Sequence, residues 1–192
     1  MNTALITATA SILAVGIGFL LTHWSTARNN RHRDQLARVQ TQLSQLYGPM
    51  YAMTQSNGIA YRAMRDRYDP EGLFDQRTPE SMEQIDKNQR EIYRLWMTSV
   101  LQPTSRKVCD LLLAHAHLLL DEAMPECAMK YFTHVRGYEV VLAQWEAGEY
   151  AELFSLVPYP QEFTDYVAES FKTLQAQQSQ LLANRRSRTS HN

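Results

Sequence analysis

Cys109 and Cys127, separated by 18 positions, are the only cysteines, and with His115, His117 and His134 they are the first residues to test for chemistry. Thiolates and imidazoles bind zinc, or form a nucleophile and its base, when a fold brings them together. The spacing argues against this. His115 and His117 are two apart, so a helix turns them to different faces. The chain contains no His-x-x-x-His, Glu-x-x-His or Cys-x-x-Cys. Each histidine reads as satisfied or exposed, and each cysteine as a small apolar residue, reduced in a cytoplasmic setting. Glu139, Glu146, Glu149 and Glu152 recur at helical spacing, which suits a solvated face better than an acid/base pair. No motif surrounds a Ser, His and Asp set. The expectation is a protein that is not an enzyme, with no metal and no cofactor.

A different chemistry is offered by Tyr47, Met50, Tyr51, Met53, Tyr61 and Met64, crowded into a short Arg-containing segment. Flexible methionine and amphipathic tyrosine suit adaptable protein-binding surfaces. The same residues at the same spacing also suit an ordinary helix core. As a partner surface, this stretch around Gly48-Pro49 ranks first.

The elements that must carry these residues begin with an N-terminal run. Met1 to Trp24 holds no charge, and Ala4–Leu21 is an apolar-to-small stretch of 18 residues. About 20 such residues span the hydrocarbon core of a bilayer. Residues 1–27 therefore read as an uncleaved transmembrane anchor. A cleaved signal peptide is the rival, but the run is long, its front end is uncharged, and Ser25-Thr26-Ala27 is a poor cleavage site beside Trp24 and Arg28. Arg28, Arg31, Arg33 and Arg38 follow the span and none precedes it, so the N-terminus is expected outside and the remainder in the cytoplasm, at an inner membrane. These four arginines are the expected lipid contacts. Ala10, Ala14 and Gly18, four apart, form a stripe that would let two such spans pack as a homodimer.

The net charge of −1 conceals a sorting: residues 23–68 carry +5, 69–169 carry −10, and 170–192 carry +4. A basic juxtamembrane segment is drawn to an anionic leaflet by about 1 kcal/mol per cation. The acidic body excludes nucleic acid as a partner.

From Asp34 the apolar period is close to 3.6. Leu36, Val39, Leu43, Leu46 and Tyr47 share one face, and Gly48-Pro49 interrupts. Residues 69–78 read as a loop. Thr78-Pro79 starts a helix whose buried face runs to Leu101, and Pro103 ends or bends it. Val108 to Leu119 make a further stripe, Pro125 opens another helix closed by Gly148, and Pro160 opens the last. The expected fold is all-α: an N-terminal transmembrane helix, then a bundle of four to six helices over residues 28–183, then a basic disordered tail over 184–192.

Leu46-Tyr47-Gly48-Pro49-Met50, Arg94-Leu95-Trp96-Met97, Gln144-Trp145-Glu146-Ala147-Gly148 and Pro158-Tyr159-Pro160 occur in that order. In these motifs the chain resembles a set of uncharacterised bacterial single-pass membrane proteins with a cytoplasmic helical domain, departing from them with Thr104-Ser105 after Pro103. The resemblance implies that architecture and no activity. The functional expectation is a membrane-anchored helical interaction module, an accessory subunit or scaffold with a protein partner. Its rivals are an enzyme, or a metal or small-molecule binder, with a site between helices, and a secreted helical protein.

Overall fold

The structure is a computed structural model that describes residues 23, 24, 26, 28 and 30–189, with side chains described as far as 184. The chain divides into two compact units, residues 41–175 and a second formed by 1–40 with 176–192. Among the described residues all regular structure is helical, without a strand, and six helices have ten residues or more. They are α1 (30–42), α2 (Gly48–Tyr68), α5 (Lys87–Trp96), α6 (Gln102–Ala114), α7 (Glu126–Glu146) and α8 (Gln161–Thr189), with short α3 (Leu73–Gln76) and α4 (Pro79–Gln84) between α2 and α5. No described helix is long and apolar enough to cross a membrane. The expected span Ala4–Leu21, with its Ala10, Ala14 and Gly18 stripe, lies outside the described residues. In the smaller unit Leu36 and Val39 are buried, while Arg28, Arg31, Arg33 and Arg38 are exposed.

Pro49 and Pro103 neither break nor end a helix. Proline has no N–H, and its ring crowds the carbonyl four residues back. The chain answers in the same way twice, with a π turn just ahead of each proline, over Leu43–Tyr47 and Met97–Leu101. Gly48 N–H reaches back five residues to the Leu43 carbonyl, and Gln102 N–H to that of Met97. One residue of slack lets helical bonding resume beyond the ring.

The helix expected from Pro79 to Leu101 is divided. Asp86 caps α5 by accepting from Gln89 N–H at 2.8 Å, while Gln89 accepts from Asp86 N–H at 2.9 Å. This reciprocal cap stops α4 at Ile85, whose backbone is extended. The 69–78 stretch contains α3, whose start is held by buried Asp69 accepting from Leu73 and Phe74 N–H at 2.8 Å each. At the other end, α8 runs helically to Thr189, where disorder was expected from 184.

Within 41–175, α2 packs against α5 and α6, and α6 against α7. One buried cluster gathers Met64, Phe74, Tyr93, Leu101, Leu142 and Trp145 with their neighbours. Each such side chain contributes about 1.5–3 kcal/mol through burial. At the other end of this unit, Tyr166 OH donates to Asp121 at 2.8 Å, so Tyr47 OH must be the donor to Tyr166 at 2.9 Å. Tyr47 oxygen also accepts Leu120 N–H at 3.0 Å, which ties the α6–α7 connection to α8.

A Cβ on Gly48 would overlap the Leu43 carbonyl oxygen, a backbone atom already committed to the π turn. Gly48→Ala is therefore expected to lower the unfolding free energy by about 1–3 kcal/mol. Urea titration of the full chain reads this directly, and an unchanged midpoint would show that the turn relaxes at no cost.

Candidate functional site

The larger unit is not solid. A cavity of about 470 Å³ lies among α2, the end of α3, the π turn before α6, α6, α7 and the start of α8. Its volume falls in the range of small-molecule sites. Most of these elements contribute polar groups: Asn57, Tyr61, Arg62 and Arg65 from α2, Asp75 and Arg77 around α3, Gln102 and Ser105 from α6, His134 and Tyr138 from α7, with Tyr93 added from α5. The apolar side is made by Met97 and Leu101, the first and last residues of the second π turn. The proline-driven widening of that helix thus faces the cavity.

Much of the polar lining is tied down. Asn57 Nδ2 donates to the Leu101 carbonyl at 2.9 Å and to Ser105 Oγ at 3.2 Å. Gln102 Nε2 donates to the Val135 carbonyl at 2.9 Å. Tyr93 and Tyr138 share a hydroxyl–hydroxyl bond of 2.7 Å in full burial. Asp75 accepts Tyr61 OH at 2.6 Å on one oxygen and Arg65 Nη1 at 2.9 Å on the other. Burial, then the bond to Asp75, pushes the Tyr61 hydroxyl far above its ordinary value, so it stays a donor.

His134 lies edge-on to Tyr138 and Tyr159, with ring centroids 5.1 and 5.3 Å away. Burial lowers its pKa, and the imidazole is neutral at pH 7. Nδ1 lies 2.7 Å from the Val157 carbonyl, which can only accept. The proton is therefore on Nδ1, and Nε2 carries the lone pair.

Arg77 is the strained member. It is the one described non-glycine residue with positive φ, at 51°, where an L side chain costs about 1–2 kcal/mol. Its guanidinium stands 4.9 Å from the Phe154 ring centroid. Its charge opposes the burial that raises the Tyr93 and Tyr138 hydroxyls, and all three residues line the cavity.

The residues singled out in the sequence are dispersed. Tyr47, Met50 and Met64 have no exposed surface, so they belong to the core and not to a partner surface. Side-chain spacing alone does not separate the two roles. Tyr51 and Met53 are half-buried, Tyr51 stacking on Phe171 at 4.6 Å, and only Tyr61 of the six lines the cavity. Glu139 is clamped by Arg106 through Nε at 2.7 Å and Nη2 at 2.6 Å, and it lies outside the cavity lining. Burial pushes the Cys109 thiol up to about 12, so no thiolate forms there. Among the described residues, no three His, Cys, Asp or Glu side chains converge to hold a metal ion.

The sequence reading passed over Arg62, Arg77, Tyr93 and Tyr138. One signal was present: Thr54, Gly58, Tyr61 and Arg65 repeat at helical spacing, a polar stripe beside the methionines on α2. Compared with known protein families, curated proteins and solved structures, the chain shows no match.

A buried neutral histidine links stability to pH with a definite sign. The unfolded imidazole takes a proton near pH 6.5, whereas folded His134 resists it until lower pH. The stabilisation is complete above the unfolded value and is lost as pH falls below it. Urea midpoints at pH 7.5 and 5.5 should fall more for the wild type than for His134→Gln. Equal falls would show that the imidazole titrates alike in both states.

Proposed function

We propose that this chain is a membrane-anchored helical module that binds a small molecule between its helices. One observation carries the reading: a cavity of ligand size in which polar and charged side chains from several helices converge beside an apolar wall. A bundle held by apolar packing alone has no use for such a space, because each buried polar group needs a partner to offset desolvation. The reading is of binding without turnover. It is supported by the ion pair that holds Glu139 and by the Cys109 thiol staying protonated, which take both residues out of acid/base and nucleophilic work. A protein partner remains part of the proposal as the receiver of a ligand-dependent signal, on a surface other than Tyr47, Met50 and Met64.

The anchor belongs to the same proposal. It is supported by the uncharged run to Trp24 and by the exposed Arg28, Arg31, Arg33 and Arg38 that follow. These arginines would lie against the cytoplasmic leaflet of the inner membrane, with the N-terminus outside. The full chain is expected to stay with the membrane pellet through an alkaline carbonate wash. Release into the supernatant would remove the anchor from the reading.

Gly58 provides the test of the cavity. A Cβ there meets only the Arg62 guanidinium, at 3.4 Å, and the position lines the cavity from a helix interior. Gly58→Leu fills the space and gains helix propensity of about 0.8 kcal/mol, so the variant should fold. Native mass spectrometry of the detergent-purified full chain should show a non-covalent small mass on the wild type, absent from Gly58→Leu. A wild type equally empty when freshly isolated would count against the proposal.

A further inference from the structure

The lining of the cavity has an uneven charge: three guanidiniums, those of Arg62, Arg65 and Arg77, stand against the single carboxylate of Asp75. That carboxylate is already spent on Arg65 and Tyr61. Among the described residues, Arg62 and Arg77 make no ion pair. Arg62 lies along α2 over Gly58, whose missing side chain makes room for the guanidinium. Arg77 projects from a left-handed position that glycine would take without strain. The chain has an arginine there, with its guanidinium over the Phe154 ring. Planar guanidiniums present fixed pairs of N–H donors that match the oxygens of a carboxylate or phosphate. Around them lie the hydroxyl groups of Tyr61 and Tyr138 and the apolar wall of Met97 and Leu101, which suit a ligand with a charged end and an uncharged body.

We propose that the cavity takes a small organic oxyanion, a carboxylate or a phosphate ester, whose charged end is held between Arg62 and Arg77. The inference rests on the small-molecule reading above and adds the chemical class of the ligand. Arg65 is a positioning residue here, because its pairing with Asp75 neutralises the carboxylate that would otherwise repel the incoming anion. Arg62 and Arg77 are the binding groups.

The test is calorimetric titration of the detergent-solubilised full chain with phenyl phosphate, benzoate and, as the neutral counterpart, phenol. One of the two anions should bind once per chain, at least about tenfold more tightly than phenol. Arg62→Gln and Arg77→Gly should each weaken it about tenfold or more. Arg77→Gly is the sharper variant, because it relieves the left-handed strain. Its melting temperature should equal or exceed that of the wild type while its binding fails. Phenol binding as tightly as the anions, or undiminished anion binding by Arg77→Gly, would overturn the oxyanion assignment. If Gly58→Leu also abolished that binding, the cavity reading would survive. No heat from any of the three at millimolar concentration would overturn both.

Discussion

Two missing amide hydrogens set the course of this fold. Pro49 and Pro103 each lie inside a helical path, and a proline there forfeits one hydrogen bond and pushes on a carbonyl, at a cost of about 3 kcal/mol in a regular helix. Ending the helix would avoid that cost, but it would expose the apolar faces on either side. Both paths instead spend one extra residue on a π turn and continue. The first turn has glycine at the residue before its proline, where a side chain would meet the Leu43 oxygen. The second has Gln102 there, and that side chain reaches across to the Val135 carbonyl on α7. The two turns are equivalent in hydrogen bonding and different in use. The second widens its helix where α2 and α7 also approach, and its Met97 and Leu101 become the apolar wall of the cavity.

A polar cavity inside a helical unit is costly unless its groups satisfy one another. Asn57 and Gln102 donate to main-chain carbonyls, the paired Tyr93 and Tyr138 hydroxyls bind each other, and Asp75 joins Tyr61 to Arg65. These bonds fix the side chains on five elements relative to one another. What they leave uncommitted is positive: two guanidiniums without a carboxylate, in a lining that also holds a neutral imidazole with its lone pair on Nε2. The inequality between satisfied and unsatisfied groups is what distinguishes this space from a packing defect. A defect in a core is lined by apolar atoms and stays dry.

The all-helical class was legible because the 3.6-residue stripe runs through nearly every segment, and Leu36, Val39, Leu46, Tyr47 and Val108 are buried where that stripe puts them. Thr78 and Pro125 were legible as helix starts, and Gly148 as a stop, because caps act locally. The prolines were legible as interruptions, but whether a helix ends at a proline or absorbs it in a π turn depends on the packing of the apolar faces on either side, which local sequence does not carry. The cap at Asp86 was also readable, with Gln89 three residues on, but an unbroken apolar period across it carried more weight. The site was the least legible part. Arg77 lies in a short loop and Tyr138 in a helix, 61 positions apart, and only the closure of the bundle makes them neighbours of one cavity.

The sorted charge gains a meaning from that closure. Arg62 and Arg65 lie near the end of the basic stretch before residue 69, and Arg77 lies just inside the acidic one, which carries −10 to residue 169. The fold gathers these three cations at one cavity within an acidic body. An approaching anion is repelled at long range and attracted at contact. Beyond a Debye length of about 8 Å in physiological salt, neither effect persists strongly. Steering therefore contributes little, and recognition falls to donor geometry at close quarters. For the proposed oxyanion this predicts selection by shape and oxygen spacing, with weak dependence of the on-rate on ionic strength. A cavity that merely collected anions would be helped by the opposite design, a positive field reaching into solvent, whereas the formal charge of the stretch around this one is negative.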